Sequence, residues 1–174
     1  MSRRFPTTIS ILVIAAAGSA PAVGANAADT CDVLYSAGIR AVQTPHHVYS
    51  STTHRGGKPQ SGEAVYAGGI EYVLLNGKWQ RSPMTPQDML EAAQARLKAH
   101  SDTCTLVGDQ MVGGQTVSVY KAHDNERGTE QLVRILKSSG LLQGSTLTLP
   151  DGTVVETRYE YTNVRAPALP AGAQ

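Results

Sequence analysis

The sequence has few of the features on which enzymes and metal proteins depend. It contains no G-x-S-x-G nucleophile motif, no C-x-x-C pair and no glycine-rich phosphate loop. Its histidines lack the H-x-H and H-x-x-x-H spacings of metal sites; they are His46, His47, His54, His100 and His123. We therefore predict no catalytic residue, no cofactor and no metal site. The enzyme alternative requires histidine and carboxylate side chains that converge in one cleft.

The chain also lacks an excess of positive charge and a long apolar run. Residues 28–174 contain 13 basic and 14 acidic residues, so no electrostatic feature favours nucleic acid. The apolar run Ile9–Ala17 is shorter than the roughly 20 residues that a membrane-spanning helix needs. No second run follows it, and we expect no transmembrane segment in the mature chain.

The N-terminus has the pattern of an export signal. Arg3 and Arg4 precede the apolar run, and Ala25-Asn26-Ala27 supplies small residues at a cleavage spacing. We predict a signal peptide over residues 1–27 and a soluble mature protein in the periplasm. The sequence leaves open the general or the twin-arginine export route. We expect no lipid anchor, because Asp29 and Thr30, rather than a small residue, precede the first cysteine.

The two cysteines, Cys31 and Cys104, favour a disulfide. An even count in an exported chain points to pairing in an oxidising compartment. The bond would close a loop of about 74 residues and stabilise the fold by roughly 4 kcal/mol. The alternative, a reactive or metal-binding thiol pair, lacks a supporting C-x-x-C spacing or neighbouring histidine.

Periodicity and turn signals predict a strand-rich α+β domain. One helix is expected over 31–43, and a second begins at Thr85-Pro86 and ends near residue 100. Asn76-Gly77 is the strongest hairpin signal. The predicted strands are 46–55, 61–67, 70–75, 78–82, 104–112, 115–123, 129–137, 141–149 and 154–164. We expect a single domain over 28–167, in which a strongly curved antiparallel sheet of eight or nine strands forms a half-open β-barrel. Two helices cover its concave side, and residues 168–174 form a flexible tail.

Four stretches of the sequence resemble the periplasmic lipoprotein-carrier (LolA/LolB-like) superfamily. They are Asn76-Gly77-Lys78-Trp79 with the proline-led helix after it, 112–120, 135–142 and 151–164. The resemblance extends over most of residues 31–167. It implies an unclosed barrel that wraps helices and can hold acyl chains. The superfamily also includes lipid-binding proteins and periplasmic stress sensors that contact protein partners.

Strand alternation predicts that one apolar face lines a cavity between sheet and helices. The candidate ligand-binding residues are Tyr66, Tyr72, Leu74, Trp79, Val117, Val119, Val133, Ile135, Tyr159 and Tyr161. The alternative is that these side chains only form the core under the helices. The predicted function is to bind a lipid or the acyl chain of a lipoprotein, without covalent chemistry. The alternative function is an envelope interaction or stress-sensing module, in which an exposed sheet edge pairs with a partner strand.

Overall fold

The computed structural model describes residues 27–99 and 102–169. These residues contain two helices and nine strands. The elements are α1 (Ala27–Gln43), β1 (His46–Thr53), β2 (Gln60–Ala67), β3 (Ile70–Leu75), β4 (Lys78–Arg81), α2 (Pro86–Ala99), β5 (Asp102–Val112), β6 (Gln115–Asp124), β7 (Thr129–Leu136), β8 (Leu142–Thr148) and β9 (Val154–Glu160). The predicted signal peptide lies outside the described residues except for Ala27, the first residue of α1.

The end of α1 and the start of α2 lie where the local sequence favours them. Pro45 disfavours a helical conformation at Thr44, and the Thr44 hydroxyl donates to the Arg40 carbonyl at 2.7 Å. At the start of α2 the Asp88 amide donates to Thr85 Oγ1 (3.1 Å), and the Thr85 amide donates to Asp88 Oδ2 (2.8 Å). This reciprocal cap confirms the predicted start of α2. Helix α1 begins at Ala27, four residues before the predicted start.

All nine strands form one antiparallel sheet in the order β4-β3-β2-β1-β9-β8-β7-β6-β5. Strands β1–β4 and β5–β9 are two meanders, and they join where β1 pairs with β9. Strands β4 and β5 are the free edges, so the sheet does not close. Helix α2 carries the chain from one edge to the other. The predicted α+β fold, with a curved and unclosed antiparallel sheet and two helices, is confirmed.

The connections follow their turn chemistry. Asn76 and Gly77 have φ angles of 53° and 73°, as the predicted two-residue hairpin requires. In β5 the pairing register shifts between Leu106 and Gly108. Gly108 has a φ angle of 146°, which residues other than glycine rarely adopt. The last strand is shorter than predicted, because it ends at Glu160 rather than at Val164.

The pairing register divides the strand side chains between two faces. Directly paired residues share a face, and successive residues alternate. We call one the helix-side face, since Ala37 of α1 packs there against Val133 and Ile135. Pairing across β7, β8, β9, β1 and β2 extends this face to Tyr159 and Tyr66.

At β2 and β3 the opposite face is covered by the chain that follows β9, whereas at β6 and β7 Val117, Val119 and Leu136 form a separate buried cluster on this face. Val65, Ala67 and Tyr72 are buried on this face, and Val164 and Leu169 pack against them. Leu169, which lies in the predicted tail, is one of the residues that pack against this group. Residues 170–174 of the predicted tail lie outside the described residues.

The two helices cover the sheet in different ways. Helix α1 contacts β5, β7 and β8 directly, whereas α2 packs mainly against α1 and has no buried residue. Arg96 of α2 nevertheless reaches the sheet, where its guanidinium donates to Asp124 of β6 at 3.1 Å. No helix within the described ranges has the length and apolar character to cross a membrane.

Candidate functional site

A disulfide fixes one end of α1 to the edge of the sheet. Cys31 and Cys104 are bonded, their Cα atoms lie 5.1 Å apart, and both are buried beside Ala122. This confirms the predicted pairing. Because the bond lies in the first part of α1, the helix is anchored at β5 and then runs across the helix-side face of β7 and β8.

A cavity of about 230 Å³ lies between α1, α2 and this face. Apolar side chains make up much of its lining. Polar groups from α2, β5, β7 and β8 complete the wall. The lining residues are Leu34, Tyr35, Gly38, Ala93, Arg96, Asp102, Ala122, Gln131, Val133, Leu142, Ser145 and Tyr159. We call it the apolar cavity.

Gly38 leaves part of this space open. It lies on α1 four residues after Leu34, so both project from the same side of the helix. A Cβ atom added at Gly38 would meet no other residue's heavy atom within 4 Å in the described structure. A methyl group at this helix position would therefore enter open space, and a longer side chain would project toward the apolar cavity that Gly38 lines.

One wall of the apolar cavity carries a tyrosine–carboxylate pair. The Tyr35 hydroxyl donates to Asp102 Oδ2. Burial, reinforced by this hydrogen bond and by the charge of Asp102, raises the pKa of Tyr35 above its usual value. The other carboxylate oxygen, Asp102 Oδ1, is buried and has no hydrogen-bond partner among the described residues. The pair holds the start of β5 against α1.

A second cavity of about 200 Å³ adjoins the first and is more polar. Its lining includes Arg96, Asp124 and Arg127, and we call it the polar cavity. Asp124 Oδ1 accepts hydrogen bonds from the backbone amides of Glu126 and Arg127, both at 3.0 Å, and Arg96 binds Oδ2. The amide of Arg127 and, to a smaller extent, the nearby guanidinium groups lower the pKa of Asp124. Asp124 therefore holds Arg96 as a charged partner at the junction of the two cavities.

Aromatic side chains close the helix-side face near the end of α1. The ring of His46 lies 5.7 Å from that of Tyr66, 5.5 Å from that of Tyr159 and 6.0 Å from that of Tyr161. His46 Nδ1 lies 2.7 Å from the Thr44 carbonyl, to which it donates. Burial lowers the pKa of His46 and raises that of Tyr159. The four rings are partly buried and pack against one another.

The structure does not bring the predicted ligand-binding residues onto one face. Tyr66, Val133, Ile135 and Tyr159 share the helix-side face, and Tyr161 lies just beyond β9, where its hydroxyl donates to the Leu142 carbonyl at 2.8 Å. The register places the remaining five on the opposite face; they are Tyr72, Leu74, Trp79, Val117 and Val119. The expectation of a single face is wrong because alternation fixes the faces only within one strand. The register between strands, which pairs Val119 with Arg134 and Tyr66 with Glu71, decides which residues of different strands share a face.

Only two of the predicted residues, Val133 and Tyr159, line the apolar cavity. Sequence analysis missed the helix residues, among them Leu34, Gly38 and Arg96, and the polar residue Gln131 of β7. The spacing of Leu34 and Gly38 marks one side of α1, but it does not show which strands that side meets. Nothing in the sequence distinguishes Gln131 from an exposed strand residue.

The opposite face has a cavity of its own, with a different chemistry. It measures about 440 Å³ and lies between β1, β2, β4 and the segment after β9. His47 and Tyr49 stack at 4.1 Å, and Arg158 lies 4.5 Å above the Tyr49 ring. His47 Nε2 also lies 3.3 Å from Glu63. These groups satisfy one another and form a polar surface rather than an apolar cavity.

Among the described residues, no group of three or more histidine, cysteine, aspartate and glutamate side chains is arranged to hold a metal ion. No protein-family model matches the chain. No curated protein matches it significantly.

Several solved structures match the fold at low sequence identity. MucB in complex with MucA(peri) is 19% identical and covers 83% of this chain and 58% of that chain, with a TM-score of 0.49. LprF from Mycobacterium bovis is 11% identical over 84% of this chain and 98% of that chain (TM-score 0.43). A LolA superfamily protein from Nitrosomonas europaea is 11% identical over 81% and 94% (TM-score 0.31). The chain thus spans less than two thirds of the MucB chain.

Proposed function

We propose that this protein binds one apolar chain, such as an acyl chain, in the apolar cavity between α1 and the sheet. The observation that carries the proposal is the unfilled volume of about 230 Å³ beneath a helix that a disulfide holds in place. Leu34, Ala93, Val133 and Leu142 supply apolar lining. Binding requires no covalent step, since burial of alkyl surface provides the free energy.

The size of the cavity sets the size of the ligand. An apolar cavity of about 150 Å³ is enough to hold benzene, and pockets for drug-sized ligands start at about 300 Å³. A volume of about 230 Å³ therefore favours a single chain over a two-chain lipid. Each buried methylene contributes roughly 0.8 kcal/mol, so six would contribute about 5 kcal/mol before the entropic cost of binding.

The proposal places the mature protein in the periplasm without a lipid anchor. The disulfide favours an oxidising compartment. It also uses the sulfur of Cys31, the cysteine nearest to the predicted cleavage site, and a sulfur in a disulfide cannot carry a thioether-linked lipid.

A substitution at Gly38 tests the proposal. Gly38→Leu should project a side chain into the apolar cavity and displace a bound chain, whereas Gly38→Ala adds one methyl group to open space and serves as the matched control. The protein is purified from the periplasm, and bound molecules are identified by native mass spectrometry and by solvent extraction. We expect a chain-bearing adduct in the wild type and in Gly38→Ala, and its loss in Gly38→Leu.

Two results would refute this function. One is the absence of any adduct from native protein together with no saturable binding of laurate in fluorescence displacement. The other is equal retention of ligand by Gly38→Leu and by the wild type, provided that circular dichroism shows both to be folded.

The free edge at β5 supports a second candidate function, the binding of an extended strand from an envelope protein. Strand β5 has 11 residues, against four in β4 at the other edge. Leu106, Val107 and Met111 are 53%, 59% and 67% exposed on β5. A long edge strand with exposed apolar residues is a template for an added strand.

Site-specific crosslinking distinguishes the second candidate from the first. A photoreactive phenylalanine at Val107 reports contacts of the β5 edge, and the same residue at Lys78 reports those of β4. The strand-addition account expects one discrete protein adduct from position 107 in cells and none from position 78. Adducts of equal yield and composition at both positions would show nonspecific contact and reject it.

A further inference from the structure

We infer, on the basis of the proposed function, that the ligand is a single-chain amphiphile whose polar end is an uncharged hydroxyl or amide group. Its tail occupies the apolar cavity and its polar end occupies the neighbouring polar cavity. The two cavities share four lining residues and are therefore adjacent. The shared residues are Arg96, Asp102, Ala122 and Gln131.

The combined space suits such a molecule. The volumes of about 230 and 200 Å³ together fall within the range of roughly 300–1,000 Å³ that is usual for ligand sites. Neither cavity alone reaches it. Beyond the shared residues, the polar cavity is lined by the polar residues Asp124, Arg127 and Thr129 and by two apolar residues, Leu147 and Leu149. A molecule that fills both cavities therefore meets a mainly apolar lining at one end and polar groups, together with two leucines, at the other.

Gln131, Arg96 and Asp102 Oδ1 have unused hydrogen-bonding capacity at the junction. Gln131 lies on the helix-side face of β7, is half-buried, and its side-chain amide forms no hydrogen bond within the described residues. An amide offers both a donor and an acceptor. The Arg96 guanidinium uses one N–H for Asp124 at 3.1 Å, which leaves further donors for a ligand. A hydroxyl or amide group complements these groups, because it also donates and accepts.

The charge at the junction favours an uncharged polar end. Arg96 and Arg127 are balanced by Asp102 and Asp124, so the lining of the polar cavity has no net formal charge. Asp124 accepts from two backbone amides and from Arg96 and has no need of a ligand cation. A carboxylate or an ammonium group would lose its hydration without a matching net charge to replace it. A hydroxyl or amide group has a much smaller desolvation cost.

Three ligands with the same 12-carbon tail test the inference. They are glycerol monolaurate, laurate and dodecylamine, and their affinities for the intact protein are measured by calorimetry below their critical micelle concentrations. We expect the glycerol ester to bind about tenfold more tightly than either charged ligand. If none of the three binds, the proposed function itself fails. If the three bind equally, or a charged one binds best, the proposed function stands and the inference about the polar end is overturned.

Substitutions at Gln131 test whether this residue causes the preference for an uncharged polar end. Gln131→Leu should bring the affinity for the glycerol ester down to that for laurate, whereas Gln80→Leu on exposed β4 should leave the tenfold preference intact. Gln131→Glu adds a negative charge and should shift the preference to dodecylamine, which gives a second readout if the leucine variant folds poorly. An unchanged tenfold preference in both Gln131 variants would place the polar end elsewhere and overturn the inference.

Discussion

The β5–β8 half of the sheet buries side chains on both faces, whereas the buried residues of the β2–β4 half all lie on the face opposite the helices. In the first half Cys104, Val133 and Ile135 lie under α1, and Val117, Val119 and Leu136 form a separate buried cluster on the other face. In the second half Val65 and Tyr72 lie under the segment that follows β9. The comparison shows that the layer which folds over a strand decides which of its faces is core. A helix pinned at one end leaves apolar space beneath it, whereas the extended segment packs on small and aromatic side chains and leaves a polar cavity at its margin.

Removal of the disulfide should lower the free energy of unfolding more than any other change considered. The loss should arise on the helix side of the sheet. The variant Cys31→Ala/Cys104→Ala frees the start of α1 and releases a constraint on a loop with a sequence separation of 73. We expect a loss of about 4 kcal/mol in the free energy of unfolding. Urea denaturation of the variant, and of the wild type with and without reductant, measures it. A loss below about 1 kcal/mol would show that packing alone holds α1.

Added volume on the opposite face should destabilise the protein. Ala67 is 6% exposed and lies among Val65, Tyr72, Val164 and Leu169. Ala67→Leu inserts three carbon atoms into this packed group, and we expect a cost of about 1–3 kcal/mol. Thermal and urea unfolding report the change. A neutral result would mean that the segment after β9 does not pack firmly on the sheet.

Added volume on the helix side should stabilise the protein. Gly38→Ala removes a helix-interior glycine, and its methyl group points into open space. We expect a gain of about 1 kcal/mol in the free energy of unfolding. Urea denaturation of Gly38→Ala and of Ala67→Leu under the same conditions measures the two changes in the free energy of unfolding. Destabilisation by Gly38→Ala would indicate that the space is already occupied and would remove the contrast between the two faces.

The smallest expected effect is a loss of stability at acidic pH that arises from the protonation of His46. Burial lowers the pKa of His46 in the folded protein below the ordinary 6.5, so the unfolded chain takes up the proton first as the pH falls. Stability should be complete above pH 6.5 and decline from there through the lowered folded pKa. Urea midpoints between pH 7.5 and 5 should show this slope, and His46→Phe should flatten it. Asp109 and Asp124 have lowered pKa values, so their effects come at more acidic pH.

Local signals in the sequence were sufficient for the elements and the pairing of neighbours. Thr85 and Asp88 mark the start of α2, and Asn76-Gly77 marks a hairpin, because these residues act on the adjacent backbone. The cysteine pair was also predictable, since only one pairing exists within the chain. These features depend on contacts between residues that are close in sequence or on a unique choice of partner.

The site was less predictable because it depends on which face each half of the sheet buries. The same alternation that selects Val133 also selects Tyr72 and Trp79, yet these two side chains face the segment after β9 rather than α1. That difference arises from the register of strands far apart in sequence and from the path of the chain after Glu160. Gln131 gains its position at the cavity junction in the same way.

Methyl-group NMR during a titration with a 12-carbon ligand tests most directly whether the space under α1 is the binding site. The account predicts chemical-shift changes and ligand NOEs at Leu34, Val133 and Leu142, and none at Val65 or Val164, with loss of the changes in Gly38→Leu. Ligand contacts at Val65 and Val164, or saturable binding with no change at Val133 and Leu142, would contradict it.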